Sequence, residues 1–298
     1  MHELQYFVVD VFTEVALAGN PLAVVMDSVG LTTEQMQAIA REFNLSETTF
    51  VERRPGAIEK AEGVRVRIFT TQEELPFAGH PTLGTASVLK LSAPETAQEN
   101  LVILQLNVGP IPVQFEAEGL FGEMTQRDPE FGAELDAAEV ARLIGLDSDD
   151  LDSALPPQIV STGNAFAVVP LRSADSLARL NVKQQEAAIW LRESGARWFY
   201  VLGPAPAQGG DGMTAYRARM QFNGGEDPAT GSAAGCAIAY LVARRAVPSG
   251  VRVTLRQGVE MGRPSGLTVS ARLNLSKVTD VRVAGSTVLV AKGQLFLR

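Results

Sequence analysis

Glu74-Leu75-Pro76-Phe77-Ala78-Gly79-His80-Pro81 returns later in the chain as Glu226-Asp227-Pro228-Ala229-Thr230-Gly231-Ser232-Ala233. Proline recurs from 76 to 228 and glycine from 79 to 231, an offset of 152 in both cases. Each copy runs into a stretch rich in small and apolar residues, 82–91 after the first and 233–243 after the second. Proline beside glycine at the head of such a run marks a helix N-terminus. Exposed backbone N–H groups and the positive end of the helix dipole make that a cradle for a carboxylate or phosphate. Two cradles, one per half, point to one anionic small molecule held between two lobes.

The surrounding segments repeat in the same order. Gly19-Asn20-Pro21-Leu22-Ala23-Val24-Val25 is echoed by Gly163-Asn164-Ala165-Phe166-Ala167-Val168-Val169, at an offset of 144. Arg65-Val66-Arg67-Ile68 is echoed by Arg217-Ala218-Arg219-Met220, at 152. Residues 6–11 and 22–25 read as buried strands of a hairpin, with 48–51 the next strand. Val64, Val66 and Ile68 alternate with arginines as a half-buried strand should. Thr32 and Gln35 form a capping-box pair ahead of Met36, Ile39, Ala40 and Phe43, which predicts an amphipathic helix over 33–43. In the second half, 184–191 and 198–202 take the places of that helix and the following strand. Strands at 251–255 and 288–297 close the sheets, loops at 145–154 and 205–212 read as surface insertions, and a connection falls around 115–130. The fold class is α+β, two copies of one unit. Short turns and hairpin signals favour antiparallel sheets over a run of βαβ crossovers. Neither a dinucleotide fingerprint nor a Walker sequence is present.

Bulk composition narrows the function further. The 298 residues, 46% hydrophobic and 20% charged, suit two ordinary globular domains. A net charge of -8 without any lysine or arginine block argues against nucleic acid or an anionic membrane as partner. Cys236 is the single cysteine, and only His2 and His80 accompany it, so neither an internal disulfide nor a Cys/His zinc cluster is expected. Met1-His2-Glu3-Leu4-Gln5 lacks a secretory pattern, and no run approaches the roughly 18 apolar residues of a membrane helix. A cytoplasmic location is expected.

Chemistry should sit where the duplication breaks. Glu47 ends a helix-exit turn. Such a glutamate is ordinarily solvated, but apolar strand residues beside it would suit it to general acid–base work. His80 is a structural histidine or, at a helix N-terminus, a neutral ring able to hydrogen-bond a substrate. Asp227 caps its helix, contacts substrate, or does both. Ser232, the counterpart of His80, either solvates the first helical turn or joins the Gly231 N–H in holding a carboxylate. Cys236, one turn inside the second helix, reads as a small buried residue. Proton transfer on an acidic small molecule is the chemistry these groups can perform.

These residues resemble the phenazine-biosynthesis PhzF family, of the diaminopimelate-epimerase-like fold. The likeness spans nearly the whole chain. It is densest at Asp10-Val11-Phe12 with Gly19-Asn20-Pro21, at Ala40-Arg41-Glu42-Phe43-Asn44-Leu45-Ser46-Glu47-Thr48-Thr49-Phe50, at the two cradles, and at Gln257-Gly258-Val259-Glu260-Met261-Gly262-Arg263-Pro264. The resemblance implies two similar lobes, each an antiparallel sheet curled around a central helix, with the site in the cleft between them. The first lobe would be 1–117 completed by 286–298, the second 118–285, and the protein commonly a homodimer. It also implies cofactor-free isomerisation of trans-2,3-dihydro-3-hydroxyanthranilate, a proton shift followed by tautomerisation to a ketone. The family's catalytic glutamate falls on Glu47, its assisting residues on His80, Asp227 and Ser232, and its oxyanion-binding glycine N–H groups on Gly79 and Gly231. No metal or cofactor is implied. The neighbouring epimerase branch uses two cysteines, but Ala78 and Thr230 stand at those places. Two departures bear on specificity: Gln221-Phe222-Asn223-Gly224-Gly225 replaces a longer loop with a Phe-x-Pro pattern, and Thr71-Gln72 replaces Thr-Pro. The expected function is therefore a PhzF-type isomerase. An epimerase or tautomerase on another small acidic metabolite, or a binding protein that kept the fold, are the alternatives.

Overall fold

The computed structural model describes residues 2–96, 100–206, 214–222 and 225–297. The chain divides into two compact units, Met1–Thr125 with Ala284–Arg298, and Gln126–Val283. The division falls after 125 where 117 was expected, because strand Gly122–Thr125 pairs antiparallel with Gly109–Phe115 of the first unit.

In the first unit the strands lie in the order Thr287–Leu297, His2–Val11, Asn20–Val25, Glu47–Glu52, Val64–Phe69, Leu101–Leu106, Gly109–Phe115, Gly122–Thr125. The C-terminal strand thus returns to pair along the whole of His2–Val11. The sheet wraps the helix Gly79–Ser92, in which every residue from Gly79 to Leu89 is buried. A helix with no exposed face needs its polar side chains satisfied internally. The Thr82 hydroxyl donates to the Ala78 carbonyl at 2.7 Å, Ser87 to that of Leu83 at 2.9 Å, and Thr85 meets Thr49 of the sheet at 2.8 Å. Gly84 sets how closely helix and sheet approach. A Cβ there would lie 2.6 Å from Leu22 Cδ2 and 2.8 Å from Val11 Cγ2.

Thr49 faces this helix, so its neighbour Phe50 points through the other face of the sheet. There it joins Leu4, Val25, Phe69 and the outer helix Thr33–Phe43, which contributes Met36, Ile39 and Ala40. That helix has the predicted limits. Its capping box is formed, and Asn44 ends it in the left-handed conformation at φ 51°.

The second unit repeats the plan. Its strands run Glu130–Glu134, Gln158–Ser161, Ala165–Pro170, Trp198–Ala205, Ala215–Arg219, Val253–Gln257, Ser265–Asn274, Lys277–Gly285. Its central helix Gly231–Ala243 is buried from Gly231 to Val242. The outer face is covered by Ala137–Ile144 and Gln184–Ser194 packed on Ala167, Val169, Phe199 and Val201. Both sheets are mixed. Asn20–Val25 runs parallel to Glu47–Glu52, Val64–Phe69 to Leu101–Leu106, Ala165–Pro170 to Trp198–Ala205, and Ala215–Arg219 to Val253–Gln257. A helix crosses over between the strands of each such pair, since parallel neighbours need a long return. Antiparallel pairing holds for the other registered neighbours, such as His2–Val11 with Asn20–Val25 and Gln158–Ser161 with Ala165–Pro170, as the hairpin signals required.

The segment 145–154 begins at the left-handed helix end Gly145 and carries a short turn, Ser148–Asp150. Of the loop at 205–212, residues 207–212 lie outside the described residues, as do 223–224 of the short loop at 221–225. Among the described residues no helix is long and apolar enough to cross a membrane.

Candidate active site

Each central helix is preceded by the same clamp. Arg67, on the strand before the first, forks onto Glu74, with Nε–Oε1 at 2.8 Å and Nη2–Oε2 at 2.6 Å. Arg219 forks onto Glu226 with the same two distances. Both residues of the clamp recur at the offset of 152. A planar guanidinium bonded twice to a carboxylate fixes orientation as well as distance. The segment entering each helix is therefore held to the strand behind it.

At the first helix the chemistry-bearing side chains converge. Glu47 opens its strand and lies in register with Leu22, and its side chain is 16% exposed. His80, second residue of the helix, is buried, and its Nε2 lies 3.4 Å from Glu47 Oε2. This exceeds the usual range for a formed N–H···O bond, so the two groups touch without being locked. Asn20, fully buried, brings Nδ2 to 3.2 Å from His80 Nδ1. An amide nitrogen only donates, so Nδ1 accepts and the ring proton resides on Nε2, turned towards the carboxylate. Burial pushes the His80 pKa down to about 3. The ring is thus a neutral donor at physiological pH. The N–H groups of Gly79 and His80 belong to the first helical turn and have no partner within the helix, whereas Pro81 has no N–H to offer. A carboxylate base, a neutral imidazole N–H and two backbone donors gather at one helix end. Such a set can take a proton from carbon and stabilise the negative charge that develops.

At the second helix the groups are bound to one another. Asp227 Oδ2 accepts from the Thr230 hydroxyl at 2.6 Å. Gln257 donates from Nε2 to the Asp227 carbonyl at 2.7 Å and to Thr230 Oγ1 at 2.9 Å. Its Oε1 accepts from the Thr230 N–H at 3.2 Å and from Tyr200 Oη at 3.0 Å. Gly231 and Ser232 are the first two helical residues, both buried, and the Gly231 carbonyl accepts from Gln126 at 2.9 Å. Cys236 is fully buried, its thiol pushed up to about 11 by that burial, and meets Thr162 Oγ1 at 3.6 Å. It is a packing residue.

The residues singled out in the sequence thus fall into two groups. Glu47, Gly79 and His80 come together in the first unit, and Asp227, Gly231 and Ser232 in the second. Sequence reasoning did not single out Asn20, Thr230 or Gln257 as working residues. A signal for Asn20 existed in the repeated Gly-Asn pair at 19–20 and 163–164. Gln257 is separated from Thr230, Asp227 and Tyr200 by 27, 30 and 57 residues, and although the alternation of Val253 and Leu255 puts it on the buried face, nothing local names its partners.

The phenazine biosynthesis-like protein family, PhzC-PhzF, matches residues 9–293. The trans-2,3-dihydro-3-hydroxyanthranilate isomerase of Pseudomonas aeruginosa is 34% identical over 98% of this chain and 99% of its own length. A crystal structure of a PhzF-family phenazine biosynthesis protein from Bacillus anthracis superposes with a TM-score of 0.87 at 26% identity, covering both chains completely. A predicted epimerase from Pseudomonas aeruginosa superposes with a TM-score of 0.81 at 34% identity, covering 99% of this chain and all of the other. The family match over residues 9–293, on a duplicated scaffold that these proteins share along its length, identifies the chain as a member of the PhzF family of isomerases.

Proposed function

We propose that this isomerase moves a proton within a small carboxylate such as trans-2,3-dihydro-3-hydroxyanthranilate, without a cofactor. Glu47 removes the proton from one carbon and redelivers it to another, and the resulting enol tautomerises to a ketone. The Nε2–H of His80 supports the Glu47 carboxylate and the charge developing on the substrate. Asp227 assists, while the N–H groups of Gly79 and Gly231 and the Ser232 hydroxyl hold anionic oxygens. The observation that carries this reading is the 3.4 Å contact between Glu47 and a neutral, buried His80 at a helix N-terminus. A carboxylate beside a neutral N–H donor at a helix N-terminus pairs a base with groups that stabilise developing negative charge, the set carbon acid chemistry needs. Supporting it is the name carried by the Pseudomonas aeruginosa relative at 34% identity.

The test is NMR in deuterated buffer, offering trans-2,3-dihydro-3-hydroxyanthranilate to the wild type and to Glu47→Gln. Product carrying solvent deuterium with the wild type, and none with the variant, is the expected result. Binding without turnover by the wild type would redirect the reading to another acidic metabolite. Neither binding nor turnover would overturn it.

A further inference from the structure

The group at the second central helix has a direction built into it. Gln257 uses all four of its hydrogen-bonding positions, two as donor and two as acceptor. Two of its partners are backbone groups whose roles cannot be exchanged: the Asp227 carbonyl only accepts, and the Thr230 N–H only donates. These two fix which end of the amide is oxygen and which is nitrogen. Nε2 therefore donates to Thr230 Oγ1. The single proton of that hydroxyl cannot go back to Gln257, and it lies on the 2.6 Å line to Asp227 Oδ2. That distance is in the range of a hydroxyl bonded to an ionised carboxylate. Gln257 and Tyr200 are fully buried and Thr230 is 7% exposed, so water does not compete for these positions.

We propose that Gln257 is a positioning residue for Asp227: by donating to Thr230 Oγ1 it commits the Thr230 hydroxyl proton to Asp227 Oδ2, holding that carboxylate in one orientation and as an acceptor. The inference rests on the reading of Asp227 as an assisting residue in the isomerase, but the hydrogen-bond polarity can be read without turnover. Thr230 stands where the epimerase branch carries a thiol. Here its oxygen is occupied on both sides, as acceptor and as donor, and it serves as a link rather than as a base. Among the described residues, titratable groups near the network include Tyr200 and Cys236 in the core and Glu226, which is clamped by Arg219.

The experiment compares Thr230→Val, Thr230→Ser and Gln257→Glu with the wild type. Valine keeps the shape of threonine and removes the hydroxyl, whereas serine keeps the hydroxyl. A buried carboxylate at 257 can only accept, so it would draw the Thr230 proton away from Asp227. The Asp227 side chain is followed in protein labelled with 13C at the aspartate carboxyls, its resonance assigned by its loss in Asp227→Asn. The carboxyl midpoint is expected to move to higher pH in Thr230→Val and Gln257→Glu, and to stay near the wild-type value in Thr230→Ser. With trans-2,3-dihydro-3-hydroxyanthranilate, Thr230→Val is expected to lose kcat by roughly 100-fold with little change in KM, and serine to recover most of it. An unmoved midpoint in folded Thr230→Val, with unchanged kcat, overturns the proposal and leaves the isomerase reading intact. A midpoint that moves while even the wild type fails to turn over the substrate upholds the positioning role and removes the substrate assignment. If Gln257→Glu does not fold, the valine and serine pair decides the matter.

Discussion

The two central helices begin alike and carry different polar groups at their starts. Both are buried, both start at a glycine 152 residues apart, and both are anchored by an arginine fork onto a glutamate. At the first, Glu47 and His80 are in contact without a formed bond. At the second, Asp227, Thr230, Gln257 and Tyr200 close into a satisfied network. A group that gives and takes a proton must be able to change partners, whereas a group that orients or stabilises works best when it cannot move. Duplication supplied one scaffold twice, and divergence at a few polar positions left a carboxylate–imidazole contact at one helix end and a closed hydrogen-bond network at the other.

The sharpest way to break this comparison is to remove one carboxylate at a time. Glu47→Gln should lower kcat by about 1000-fold or more, since it deletes the base. Asp227→Asn should cost less, on the order of 100-fold, because the amide keeps the orientation set by Thr230. Steady-state kinetics with matched melting curves would check both, and an equal loss would erase the distinction between the two ends.

Next in size is the clamp. Arg219 and Glu226 have side chains 9% and 11% exposed, against 16% and 23% for Arg67 and Glu74. Arg219→Ala leaves a nearly buried carboxylate with no cation on it and only a 3.4 Å bond from Gln221, and should destabilise by about 3 kcal/mol. Arg67→Ala should cost about 1.5 kcal/mol, its glutamate being better hydrated. Urea titrations would rank them. The Arg67 guanidinium holds the Glu74 carboxyl below its ordinary range. That contribution is complete above the unfolded carboxylate pKa and fades as pH falls through the folded one. The gap between wild type and Arg67→Ala should narrow with acidification.

His80 provides a third comparison, since the corresponding Ser232 does not titrate. Its folded pKa of about 3 lies below the ordinary histidine value of 6.5. Between these values the unfolded chain binds a proton that the folded one refuses, so stability falls as pH drops through that window. The slope should be about 1.4 kcal/mol per pH unit, and His80→Asn should remove it. Unfolding curves collected across that pH range would show whether the slope depends on residue 80.

The smallest effect concerns Asn20. With only two histidines in the chain, 15N-histidine spectra report the His80 tautomer directly. The wild type should show the proton on Nε2. Asn20→Asp, which presents only acceptors, should draw the proton to Nδ1 and raise the His80 pKa. An unchanged spectrum would mean that Asn20 does not select the tautomer.

Much of this was legible before any coordinates. The repeated Pro-x-x-Gly cradles, the Gly-Asn pairs and the Arg-x-Arg strands announced a duplication, because each demands the same local geometry wherever it occurs. The Thr32 and Gln35 capping box gave the outer helix its limits, because capping depends on residues three apart. The mixed character of the sheets was not legible. Whether Asn20–Val25 meets Glu47–Glu52 parallel or antiparallel depends on the path of the intervening helix, not on either strand. The helix Ala137–Ile144 did carry a signal, the cap at Asp136 and the apolar spacing of Val140, Leu143 and Ile144, in a stretch between the expected connection at 115–130 and the loop at 145–154 to which no element was assigned.

The sequence by itself determined the duplicated architecture, the central helix starts, and the residue types available for proton transfer, Glu47 and His80 foremost. These follow from local rules, since periodicity, capping and glycine placement act over a few residues. Only the tertiary structure decided that Asn20 sets the tautomer of His80, and that Gln257 reaches back across 27 residues to polarise Thr230 towards Asp227. Hydrogen-bond direction depends on which donors and acceptors share a dry interior, and that is settled only when distant strands pack around a helix with no exposed face.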